Sequence, residues 1–135
     1  MNRTSETSKI INVNKFKTNL NEPILNVTKV KLKGLIFKKP SNYVGAVYVK
    51  IKDVFGDVLL STDVVDISYI CLFNANDTDF AKPLIVMNES VELDNIIPIL
   101  NTMDVKLLDQ NGQELSSDNN FSMVLKIYYR EGNMY

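Results

Sequence analysis

Between Phe121 and Tyr129 the side chains alternate: Phe121, Met123, Leu125, Ile127 and Tyr129 share one parity, and Ser122, Val124, Lys126 and Tyr128 share the other. A strand points successive side chains to opposite faces, so this segment reads as a strand with one face in a core. The same period of two returns along most of the chain. Over 46–54, Val47, Val49 and Ile51 read inward, with Tyr48, Lys50 and Lys52 outward. Over 64–73 the face is Ile67, Tyr69, Cys71 and Phe73, with Ile70 and Leu72 opposite; two apolar faces predict a strand covered on both sides. Hardly any stretch carries the period of an amphipathic helix.

Further strands are expected at 10–13, 24–38, 58–60, 84–87, 91–93 and 104–108. Over 24–38 the apolar parity is Leu25 and Val27, then Val30, Leu32 and Ile36, so a bulge or bend is predicted between Val27 and Val30. Residues 96–100 are apolar on both parities and interrupted by Pro98, which reads as a buried connection or a one-turn helix. Asn111-Gly112 separates the last two apolar runs as a turn. About eight strands roughly ten residues apart predict an all-β fold, an antiparallel β-sandwich or compact jelly roll. The expected organisation is a polar N-terminal arm over 1–21 and a single β-sandwich domain over 22–135, long enough at 135 residues to bury a core without staples.

Composition narrows function mainly by exclusion. Histidine is absent, which removes Ser-His-Asp and Cys-His catalysis and the usual zinc sets. The single cysteine, Cys71, lies among Tyr69, Ile70, Leu72 and Phe73 and reads as a buried apolar residue rather than a nucleophile. With no disulfide available and no apolar signal segment in residues 1–9, folding is expected in a reducing compartment, without secretion by a signal peptide. No apolar run reaches the length of a membrane helix, so no membrane span is expected.

The carboxylate pairs Asp53/Asp57, Asp63/Asp66, Asp77/Asp79 and Glu92/Asp94 mostly occupy turn segments, where acids are commonplace, and no tryptophan accompanies them. The loop 74–79 is oxygen-rich but lacks the glycine and terminal glutamate of a calcium loop. The glycines are isolated, so no phosphate-cradling loop is formed. Five Asn-x-Ser/Thr triplets, at Asn2, Asn26, Asn76, Asn88 and Asn120, follow from 16 asparagines among 16 serines and threonines. No cofactor, metal or catalytic residue is expected, and a net charge of −1 argues against nucleic acid as a partner.

Two groups of residues remain as candidates for binding. Lys29, Lys31 and Lys33 share one strand face, followed by Lys38 and Lys39, with Lys50 and Lys52 on the next strand; together they form an anionic-ligand face or keep an exposed strand soluble. Phe16, Tyr128, Tyr129, Met134 and Tyr135 are the candidate interface residues, since aromatics and methionine are enriched in interface cores.

The segment from Val105 through Leu107, Leu108, Asp109 and Gly112, continuing to Phe121, Ser122, Leu125 and Ile127, resembles a C-terminal hairpin of small β-sandwich virion proteins encoded by polinton-like and related eukaryotic DNA viruses. The similarity covers about a quarter of the chain. It implies a non-enzymatic minor capsid or spike/attachment component, homo-oligomeric, in contact with other capsid proteins and located in the virion after production in the host cytoplasm or nucleus. In that setting the arm orders on assembly. The competing expectation is a β-sandwich that binds carbohydrate or a host receptor through Tyr43, Tyr48 and the lysine stripe.

Overall fold

The computed structural model describes residues 6–38, 45–55, 67–74, 80–109, 111–115 and 121–131. Among these described residues the eight strands are β1 (Glu6–Val13), β2 (Lys17–Lys38), β3 (Ala46–Ile51), β4 (Tyr69–Phe73), β5 (Phe80–Ala81), β6 (Pro83–Met87), β7 (Ser90–Leu108) and β8 (Phe121–Arg130). No helix occurs among the described residues. All pairings are antiparallel, in the order β1-β8-β2-β7-β3-β4-β6, with β5 paired to β2. This is the all-β antiparallel fold expected from the alternation.

Strand β7 joins the two halves of the curled sheet. Residues 90–104 lie along β2, and residues 105–108 lie along β3. The core fills the space between the halves: Val13, Val27, Val30, Leu125 and Ile127 from one side meet Val47, Val49, Tyr69 and Cys71 from the other, all fully buried. Specific contacts cross that space as well. The Tyr69 hydroxyl donates to the Val30 carbonyl at 2.8 Å, and the Phe37 and Phe73 rings meet edge-on with centroids 4.6 Å apart. A smaller cluster of Ile67, Ile70 and Leu108, with Tyr48 packed against it, lies outside this core.

The bulge expected between Val27 and Val30 is present as a register shift between Val27 and Lys29, which lets both valines face inward. A second shift between Leu32 and Gly34 was not legible. It turns Leu35 and Phe37 into the core and leaves Ile36 outside. Likewise Ile24, not Leu25, is buried, because Asn26 at φ 57° reverses the parity before Val27. Leu72 also differs from expectation: Ile70 is covered, but Leu72 is 36% exposed.

Within the expected arm, the described residues are largely sheet. Residues 6–13 form edge strand β1 against β8, and β2 already begins at Lys17. Thr7, Ile11 and Val13 share a parity, and that sparse alternation suffices for a strand whose outer side is solvent. The turn at Asn111-Gly112 exists, but the runs beside it do not form a hairpin with each other. β7 and β8 lie on opposite sides of β2, and the turn only folds 114–115 back on 107–108. Residues 96–100 belong to the continuous 19-residue β7 rather than to a connection or helix. Pro98 falls level with Asn26 between the Leu25/Ile99 and Val27/Ile97 pairs, where no ladder bond requires its missing N–H.

Candidate functional site

Three surface features carry the residues with binding chemistry. The first lies on the outer face of β2 and β8. Register places Lys29 beside Tyr128 and Lys31 directly opposite Lys126. The Lys29 Nζ stands 4.2 Å from the Tyr128 ring centroid, and the Lys126 Nζ stands 5.3 Å from it. Both ammonium groups are thus within cation–π reach of one ring. Opposing lysines repel, so Lys31 and Lys126 form an electrostatic liability that an anion would relieve. Lys33 is exposed further along β2.

The second feature is a groove of about 660 Å³ where β3, β7 and the start of β2 meet. It contains the other two lysines expected on the anionic face, Lys50 and Lys52, with Lys17 and Lys106. The expected single lysine face therefore divides. β7 separates β2 from β3 in the sheet, and the β7 residues opposite Lys29 and Lys50 are Glu92 and Lys106. At about 3.3 Å per residue, that separation is on the order of 45 Å of strand.

The third is strand β6, at the end of the sheet path beyond β4. Its sequence from Pro83 to Met87 has no charge, yet Leu84 is 69% exposed, Ile85 57% and Met87 45%. Leu72, across from Ile85 on β4, extends this apolar surface.

The expected interface residues scatter. Phe16 packs on Phe121 with centroids 5.0 Å apart and flanks the core, as does Tyr129; neither is a free contact residue. Tyr128 is half-buried in the lysine cluster. Met134, Tyr135, Tyr43 and Lys39, and the loop residues 75–79, lie outside the described residues. Tyr48 flanks the smaller cluster. Reasoning from sequence missed Lys126 and Lys106, because both join their groups only through cross-strand register. It missed β6 as an exposed edge because an apolar run without alternation reads as interior.

The reactive groups are placed for structure. Burial pushes the Cys71 thiol up from 9.0 to about 12, so the thiolate needed for nucleophilic chemistry does not form at neutral pH. The Asp109 Oδ1 accepts the N–H groups of Asn111 and Gln113, each at 2.9 Å, which accounts for an acid in that turn. Among the described residues no three acidic or thiol groups converge on a point that could hold a metal ion, and no helix is long and apolar enough to cross a membrane. No family model matches the chain, and no curated protein is recognisably similar to it.

Proposed function

We propose that this chain is a non-enzymatic structural protein of a virus-like particle, a minor capsid or spike component of the polinton-like kind, that works by associating with copies of itself and with coat subunits. The observation that carries the reading is the uncharged, exposed edge strand β6. An edge offers unpaired N–H and C=O groups, and monomeric proteins commonly guard such edges with charge or cover. Here Leu84, Ile85 and Met87 make the edge adhesive instead. A second copy is a suitable occupant: antiparallel pairing about a two-fold axis at Ile85 sets Leu84 against Val86 and Lys82 against Asn88, so no like charges meet. The sequence resemblance supports the particle setting, and the contact surface moves from the N-terminal arm to β6.

Light scattering over a concentration series tests this. The wild-type chain is expected as a defined oligomer, and Ile85→Lys is expected to weaken association at least about tenfold, equivalent to about 1.4 kcal/mol. A wild-type chain that stays monomeric, with or without coat protein, defeats the reading.

The Tyr128 cluster favours a second activity, attachment to a sulfated glycan or receptor. A tyrosine face can carry a sugar ring while Lys29, Lys31 and Lys126 meet sulfates. A glycan array should give a sulfated hit that Lys29→Glu removes; an array with no sulfated hit rejects attachment by this face.

A further inference from the structure

The groove at the junction of β2, β3 and β7 has a composition that neither self-association nor the Tyr128 cluster uses. Lys50 and Lys106 are direct partners in the β3/β7 ladder, a like-charge arrangement that is unfavourable while the groove is empty. Lys17 and Lys52 add two more cations to the lining. Two aromatic rings line the same space: Phe16, held by its packing on Phe121, and Phe55, which is 49% exposed.

The lining segments are tied together by backbone bonds. The Lys52 N–H donates to the Asp104 carbonyl at 3.0 Å, and the Val105 N–H donates to the Phe16 carbonyl at 2.8 Å. The groove is therefore built before any ligand arrives, and about 660 Å³ is within the range of small-molecule sites. Asp53, Asp104 and Glu114 also line it, which leaves a formal charge of +1 against the four lysines. That balance suits a ligand bearing one phosphate group. It gives a long polyanion little reason to prefer the groove, since each further phosphate would meet carboxylates.

We propose that this groove binds a small organic phosphate of about mononucleotide size, with its phosphate between Lys50 and Lys106 and its planar or apolar body against Phe55 and Phe16. Both halves of the ligand contribute, so neither alone should bind well.

Isothermal titration with adenosine monophosphate, adenosine and inorganic phosphate tests this on the full chain. Adenosine monophosphate is expected to bind at least about tenfold more tightly than either fragment. Lys106→Gln removes one charged hydrogen bond and should lower that affinity about tenfold. Phe55→Ala should lower the affinity for adenosine monophosphate and leave that for inorganic phosphate unchanged. Both side chains are exposed, and thermal melts matching the wild type would confirm that each variant is folded. Absence of saturable binding by the wild-type chain overturns the proposal. So does equal affinity of folded variants and wild type, or a single-stranded oligonucleotide that outcompetes the mononucleotide in a manner dependent on Lys106.

Discussion

Tyr69 and Cys71 stand two residues apart on β4, both fully buried between the halves of the sheet, and both keep their protons there. Burial raises the Tyr69 hydroxyl, with a smaller contribution from Cys71, and burial raises the Cys71 thiol to about 12. In each case the folded pKa exceeds the unfolded one, so the stabilisation is complete below the unfolded value and is lost as pH rises. The unfolded chain releases these protons from about pH 9 upward while the folded chain retains them. Urea unfolding between about pH 8 and about pH 11 should therefore show falling stability, with a shallower fall in Tyr69→Phe and Cys71→Ala. Tyr69→Phe should also cost about 1–2 kcal/mol at neutral pH, because it strands the Val30 carbonyl. An equal pH slope in wild type and both variants would contradict the assignment. Such roles are half legible in sequence: alternation places both side chains inside, but no local pattern names the carbonyl across the core.

At the level of strands, legibility depends on whether the signal is local. The faces of β3 and β8 follow from parity alone, and the buried sets Val47, Val49, Ile51 and Phe121, Met123, Leu125, Ile127 agree with it. The shift at Val27 was readable because two valines of opposite parity bracket it. The shift at Gly34 was not, since Leu35, Ile36 and Phe37 are all apolar and any of them could face the core. At Asn26 the parity reverses through the backbone of one residue, without a register shift against β7. Its φ of 57° lies in the left-handed region, which asparagine tolerates and β-branched residues do not. Asn88 adopts φ 59° in the turn between β6 and β7, so two of the asparagine triplets occupy backbone positions that favour asparagine. Asn26→Val should cost about 1–2 kcal/mol, measured by chemical unfolding, and Asn26→Gly much less. Similar losses in both would show that the side chain, not the backbone, matters at this position.

For the molecule as a whole, the fold class was written in the sequence and the order of strands was not. Asn-Gly marked a turn correctly, but the choice of partner for each flanking run is a long-range competition for buried area that a turn cannot decide. β2 won β8 on one side and β7 on the other, although 51 residues lie between β2 and β7 and 82 between β2 and β8. The lysines were sorted by the same competition, Lys126 with Lys31 and Lys106 with Lys50. This arrangement also sets a timetable. β8 follows the other seven described strands along the chain, yet it sits between β1 and β2 and supplies Met123, Leu125 and Ile127 to the core. Until residues 121–130 emerge, β1 has no partner among the described strands and β2 shows one bare hydrogen-bonding edge, so the nascent chain must wait, in need of shelter from its neighbours on the same message, before its sheet can close.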